Sequence, residues 1–509
     1  MSFFEEIGFN NHPFAQTNAD EEPHLAEYFV PPPFFDGVVG DYENPSSCMV
    51  LAPRGAGKSA QRRMIEEWAS DNHVLAITYD RFEFGKGQSV GDITLQYHMR
   101  NIITRVLIGY LSFLRDSPTL IENLSKQKRD TISTFAYSYI GDLKGDELRE
   151  ILKELKSLPQ RFKDFWKENV GVLDSVLQML MKNFGLSPID LPNAKQEDKK
   201  LTETYKHQLE VLYDIASEAG ISSIYVLIDK VDETEKTGGD PEATYSLIRP
   251  LARDLELLSL RGYGFKFFLW DRIEPHFRED ARPDRVSQYE LNWSRPNLEE
   301  VLSQRLQFFS NGEVEYFDQI VKTDTKYSID SMFALLANGS PRNLVRLCEK
   351  IFSAQAEIDR NSAIVSWPAV ERGVITYCKQ ITRELYGEDV VKDLQRAERE
   401  LFTINYLSNY VFKTAHKNTS RNRVTSWKKS GVLRQVGTVS VETSKRPLNF
   451  YYVSDPAMIR LINRSDPLIE FFDDRWIMCD HCMKDNLVDI SIIPDGNEPL
   501  CLHCNRSLF

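Results

Sequence analysis

The sequence predicts an α/β protein: a parallel sheet with a phosphate-binding loop and a helical insertion, then a helical lid, a winged helix-turn-helix and a small zinc ribbon. Three observations predict it. A strand, loop and helix pattern surrounds the glycine-rich run LAPRGAGKSAQRR at residues 51–63. A second apolar run, ISSIYVLIDKVDE at residues 221–233, ends in carboxylates. Near the end of the chain, Cys479 and Cys482 form one CxxC pair and Cys501 and Cys504 another.

Length and composition bound the problem. A chain of 509 residues with 42% hydrophobic content can fill several cores, or roughly three domains. The start, MSFFEEIGFNNHPF, places acids and polar residues where a secretory signal carries positive charge and an apolar run. No stretch approaches the roughly 18 consecutive apolar residues of a membrane span, so the expectation is a cytoplasmic protein without a membrane partner. In that reducing compartment seven cysteines point to metal binding or burial before disulfides. Against a net charge of -13, attraction to nucleic acid requires a local basic patch.

The first element to justify is the loop. Residues 48–51 are apolar and read as the end of a buried strand, while SAQRRMIEEWA has strong helix formers and no breaker. Between them the loop fits the Walker A pattern, with Ala52 first, four residues, then Gly57, Lys58 and Ser59. Gly55 and Gly57 let backbone N–H groups curl around phosphate oxygens, Lys58 brings a point charge to the outer phosphates, and Ser59 is a magnesium ligand. Arg54, Ala56 and Ala60 complete the candidate ATP-binding set. The bland alternative is a glycine-rich turn before a helix.

The metal partner is expected at the end of another buried strand, where Asp229 stands. As the Walker B acid it would hold magnesium with Ser59, while Glu233, with Asp232 as rival, orients and deprotonates the attacking water. The alternative is an exposed acidic turn after a core strand. Further strands are read at residues 74–80, in FKFFLWD ending at Asp271, and at residues 284–293. The FKFFLWD strand should lie beside the Walker strands, with Asp271 either sensing the terminal phosphate or serving as an ordinary strand end. Strands alternating with helices imply a parallel sheet with ligands at its carboxyl edge. From about 100 to 220 the pattern is helical, as in DELREILKELKSL, and is read as an insertion.

Together these motifs resemble the AAA+ family, in its origin-recognition/initiator (Orc-like) branch and related bacterial STAND-like ATPases, over residues 10–465. The run NGSPRNLVRL at residues 338–347 resembles that branch's sensor-2 segment, in which Arg342 reaches the nucleotide; Ser340 can cap the helix and Pro341 fits its first turn. The stretch DRVSQYELNWSRPNLEEVLSQRL resembles the region holding an arginine finger, which implies Arg285, with Arg278 and Arg282 as rivals, and a homo-oligomer or ATP-dependent assembly. Many AAA+ ATPases place Glu directly after the Walker B Asp; here Lys230 stands there. That departure leaves an Asp-x-x-Asp-Glu arrangement as in STAND-type ATPases, or a site that hydrolyses poorly. The N-terminal FNNHPFAQTNADEEPHLAEYFVPPPFF is similar to the lead-in of Orc-like ATPases, which wraps the core near the adenine. The resemblance implies ATP, magnesium, bacterial anti-phage defence as a setting, and an effector protein encoded nearby as a further partner.

Beyond residue 393 helical spacing gives way to TSRNRVTSWKKSG, GVLRQVGTVSVET and PLNFYYVSD, an order that suggests a winged helix. Thr419 or Ser420 would cap a recognition helix ending near Gly431, with residues 444–447 in the wing. Between Lys413 and Arg446 nine lysines and arginines face one acid, Glu442. Arg421, Arg423, Lys428 and Lys429 on the helix and Lys445 and Arg446 at the wing form a candidate face for double-stranded DNA. The alternative is a winged helix that transmits nucleotide state without touching DNA. The CxxC pairs, separated by eighteen residues, read as a structural zinc ribbon in which Cys479, Cys482, Cys501 and Cys504 close a tetrahedral site. His481 and His503 lie inside the knuckles and are not read as ligands. The expected organisation is an arm at 1–40, a core at 41–295, a lid at 296–390, a winged helix at 391–470 and the ribbon at 471–509.

Overall fold

The computed structural model describes residues 3–116, 124–140, 151, 198–414, 417–439, 447–493 and 500–508. Two compact units divide the chain: Pro31–Asn292 is one, and Met1–Val30 with Trp293–Phe509 the other.

The first unit is built on five parallel strands, β1 (Cys48–Ala52), β2 (Val74–Tyr79), β3 (Ser223–Ile228), β4 (Tyr263–Trp270) and β5 (Ser287–Glu290), in the order β2-β3-β4-β1-β5. Every residue of β1, β2 and β3 is buried, which fits their largely apolar sequences in a parallel sheet whose two faces are covered by helices. The predicted parallel α/β fold is the observed one, and β4 pairs with both Walker strands, β1 and β3. Because all strands run the same way, residues just beyond 52, 79, 228 and 270 gather along one sheet edge. Between β2 and β3 the chain is helical wherever described, with helices Leu95–Asp116, Lys126–Tyr139 and Asp198–Glu218. The segment DELREILKELKSL falls outside the described residues except for Ile151.

In the second unit the helices Arg295–Phe309, Ile329–Leu336, Pro341–Ile358 and Trp367–Tyr386, which span the expected lid, share one apolar cluster with the winged helix and the cysteine knuckles. Gly373 is required here, since a Cβ on it would lie 2.5 Å from the Ile351 Cα of the neighbouring helix. The N-terminal segment belongs to this unit: Phe9 and Phe14 pack on Phe352, and the buried Arg305 binds the Glu22 carboxylate at 2.9 Å. Up to Val30 its packing is on these helices, while its last residues, from Pro31, belong to the sheet unit, where Phe34 stacks on Tyr289 at 5.3 Å.

The winged helix has a three-stranded antiparallel sheet, β6 (Leu401–Thr403), β7 (Leu433–Val439) and β8 (Leu448–Val453), ordered β6-β8-β7. Its recognition helix, Lys417–Ser430, starts before the expected cap, and Ser420 lies inside it. The buried Ser420 hydroxyl is satisfied by Ser408 Oγ at 2.8 Å on the preceding π-helical turn, so it is not free to cap. Gly431 ends the helix with φ of 82°, as the spacing predicts. A final hairpin, β9 (Trp476–Met478) and β10 (Asp485–Leu487), carries the first cysteine pair at its turn.

Candidate functional site

At the end of β1 the loop turns through two left-handed glycines, Gly55 at φ 81° and Gly57 at φ 93°, before the helix Lys58–Asp71 begins. A side chain at either position would be strained, so glycine is what lets successive N–H groups curve into a concave nest. Lys58, half-buried, donates from Nζ to the carbonyls of Ala52 at 3.0 Å and Pro53 at 3.1 Å. Burial pushes its pKa down, and four carboxylates push it back up: Asp232, Asp229, Asp271 and Glu233. The loop and lysine after β1 and the acids predicted from two other strand ends, those of β3 and β4, thus act on one another electrostatically.

Each acid has a defined setting. Asp229 is buried at the end of β3; Oδ2 accepts from Arg62 Nε at 3.1 Å and Oδ1 from the Lys230 amide at 2.9 Å. Arg62, on the helix that follows the loop, has no exposed surface and reaches Glu66 at 2.6 Å. Thr78 of β2 donates to the same Glu66 carboxylate. Asp232 is buried and accepts from Arg54 Nε at 2.7 Å, whereas its neighbour Glu233 is exposed. At the end of β4, burial raises the Asp271 pKa while Arg272 and Lys58 oppose the rise, and the buried Asp271 Oδ1 has no hydrogen-bond partner among the described residues.

Lys230, which stands where many AAA+ ATPases have their base, adopts a left-handed φ of 56° and places Nζ 3.0 Å from Asp80 at the end of β2. Its charge is directed into this ion pair. A hydroxyl at Ser59, the carboxylate of Asp229 and the unpartnered oxygen of Asp271 are the hard oxygen donors that suit magnesium.

Arg285 is exposed and 3.7 Å from Asp284. Its rivals are more firmly engaged: Arg282 meets Asp284 at 3.1 and 3.2 Å, and Arg278 meets Glu274 at 2.7 Å. In the second unit, Ser340 accepts from Asn343 N and Pro341 opens the lid helix, as the SPRN run predicts, leaving Arg342 exposed in its first turn.

On the recognition helix Arg421, Lys428 and Lys429 are exposed. Arg423 is engaged differently: it pairs with the buried Asp393 and lies 4.8 Å over the Phe412 ring. Lys445 and Arg446 fall outside the described residues.

The four cysteines converge. Cys479 and Cys504 sulfurs are 3.7 Å apart, Cys482 and Cys501 sulfurs 3.6 Å, and all four lie within 4.8 Å of one another. Disulfides at about 2.05 Å are excluded by these separations. Thiolates about 2.3 Å from a tetrahedral zinc stand about 3.8 Å apart, so the set fits zinc. The two knuckles repeat one turn: Met483 N donates to Cys479 O and Asn505 N to Cys501 O, with left-handed φ of 56° at Met483 and 59° at Asn505. His481 and His503 are exposed, and His503 Nε2 lies 3.0 Å from the Asp485 carbonyl.

Sequence reasoning missed Arg62 and the contact partners of Arg54 and Lys230. Arg62 lay within the quoted run, but its partner Asp229 is 167 positions away.

No protein-family model matches the chain, and no curated protein matches it. Among solved structures, the chain is similar to the ORC1 protein of Aeropyrum pernix in complex with DNA, with 11% identity and a TM-score of 0.36 over 90% of this chain and 98% of that one. Among the described residues no helix is long and apolar enough to cross a membrane.

Proposed function

We propose that the chain is an ATP-binding and ATP-hydrolysing molecular switch of the AAA+ or STAND-like kind, acting in the cytoplasm and engaging double-stranded DNA through its basic winged helix. The observation that carries the reading is the placement of Lys58, which opens the helix after a left-handed glycine loop at the end of β1, on the same sheet edge where Asp229, Asp232 and Glu233 follow β3 and Asp271 follows β4. Such a loop binds phosphate oxygens through its amides and the helix N-terminus, with Lys58 on the outer phosphates. Ser59 and Asp229 would hold magnesium, which supplies charge neutralisation on the phosphate oxygens. Glu233 orients the water and takes its proton. Arg342 reads the nucleotide from the lid, and Arg285 acts as a finger toward another subunit.

Arg421, Lys428 and Lys429 present the DNA-facing charge, with Lys445 and Arg446 at the wing. The four cysteines hold zinc as a structural centre. Bacterial anti-phage defence, with an effector protein as partner, is the setting the sequence resemblance suggests. A second reading, an ATP-dependent scaffold whose winged helix and ribbon bind protein, is favoured by one observation: Arg423 is already neutralised by Asp393.

ATP turnover by the purified protein, with and without duplex DNA, tests the proposal. Glu233→Gln should keep ATP binding and lower turnover by about 10²-fold or more, the loss typical of a positioned base. Turnover no greater than that of Glu233→Gln in the wild type, with or without DNA, would give the scaffold reading the lead.

A further inference from the structure

Arg54 occupies the loop itself, two residues after Ala52, yet its guanidinium is held by groups from two other strand ends. Nε donates to Asp232 Oδ2 at 2.7 Å and a terminal nitrogen to the Asp232 carbonyl at 2.9 Å. The guanidinium carbon lies 4.7 Å over the Trp270 ring, the last residue of β4. The turn following Glu233 also approaches it, where a Cβ on Gly239 would come 3.7 Å from Arg54 Nη1. The side chain of Asp232 is 3% exposed and that of Arg54 48%. Asp232 also sits in the short helical turn Val231–Glu233, fixed at its start by the Lys230–Asp80 pair.

From these contacts we infer that Arg54 is a positioning residue that staples the phosphate loop to the turn after β3, with Asp232 as its anchor and not the water-activating base. The inference rests on the nucleotide reading above and deepens it. A base needs a carboxylate oxygen open to water, and Asp232 is buried and engaged by a guanidinium, while the adjacent Glu233 is exposed. Glycine loses more conformational freedom on ordering than any other residue, and this loop holds two. Fixing it beforehand lowers that cost and appears as affinity. Arginine suits the role because its planar fork meets a carboxylate and a carbonyl at once, which a lysine ammonium on a flexible stem does not.

The test is a double-mutant cycle of Arg54→Ala and Asp232→Asn, read as ATP affinity, kcat and thermal unfolding without nucleotide. Each single variant should weaken ATP binding by about tenfold, with kcat lowered no more than about threefold, and the double variant should be no weaker than Arg54→Ala alone. Arg54→Lys, which keeps the charge and loses the fork, should recover only part of the affinity. A roughly 100-fold fall in kcat for Asp232→Asn with affinity intact would make Asp232 the base and overturn the assignment. Multiplicative affinity losses, or additive unfolding shifts, in a protein whose wild type binds ATP would overturn it too. A wild type that binds no ATP would instead overturn the nucleotide reading, and the unfolding cycle would still report whether the two side chains are coupled.

Discussion

The phosphate-loop site and the cysteine site both gather like charges at chain turns, and they are held in opposite ways. Around Lys58 the acids meet cations of the same chain: Arg62 on Asp229, Arg54 on Asp232 and Lys230 on Asp80. The sheet and these pairs shape the site. In the knuckles four sulfurs converge at the edge length of a metal tetrahedron, so on the zinc reading the ligand would shape the chain there. A site made by its fold should lose function when a side chain is changed and keep its shape; a site that makes its fold should do the reverse.

The largest effect that can break this comparison is metal removal. Structural zinc contributes about 10–16 kcal/mol in small peptides, so chelation should unfold the knuckles and loosen the groups resting on them. Those include Tyr452, whose hydroxyl donates to Leu487 O at 2.7 Å, and Trp476, stacked on Tyr327 at 4.6 Å. Hydrogen exchange should rise across residues 476–508 while ATP affinity stays constant. Loss of ATP affinity on chelation would show that the two sites are one folding unit.

Next in size is Arg62→Met. Removing one partner of a buried ion pair costs about 3–5 kcal/mol, and here it removes the Arg62 guanidinium from both Asp229 and Glu66. Denaturant unfolding of the sheet unit should show that loss with zinc content unchanged. A loss below about 1 kcal/mol would place Arg62 among surface-like pairs and remove it from the architecture of the site.

The smallest effect sharpens the difference within the basic face. If Arg421, Lys428 and Lys429 contact phosphates, neutralising all three should flatten the log–log salt dependence of DNA binding by about two to three units. Arg423→Gln should change that slope less than any of them and lower stability instead, because Arg423 is bound to Asp393. An equal slope change at Arg423 would show that the ion pair opens on DNA.

Local signals account for what was legible in the sequence. The strands β1 to β4 announced themselves as apolar runs, the loop by its glycines, the knuckles by spacing, and the lid helix by Ser340 and Pro341. Long-range pairings were not legible: Arg54 meets an acid 178 positions away, and nothing in its own neighbourhood marks that partner. The start of the recognition helix was misplaced because Ser420 resembles a cap in sequence, whereas its hydroxyl is spent on Ser408. Packing of the N-terminal segment on the lid helices depends on a distributed aromatic cluster, Phe9, Phe14, Phe317 and Phe352, that only the fold assembles.

The central claim, that the loop at residues 52–59 is a nucleotide site made by its fold, is tested most directly by calorimetric titration of ATP with magnesium into the wild type and Lys58→Ala, alongside their unfolding curves. Lys58 is half-buried and its donors meet loop carbonyls, so its removal should leave stability within about 1 kcal/mol while abolishing ATP binding. ATP affinity unchanged in Lys58→Ala would contradict the claim.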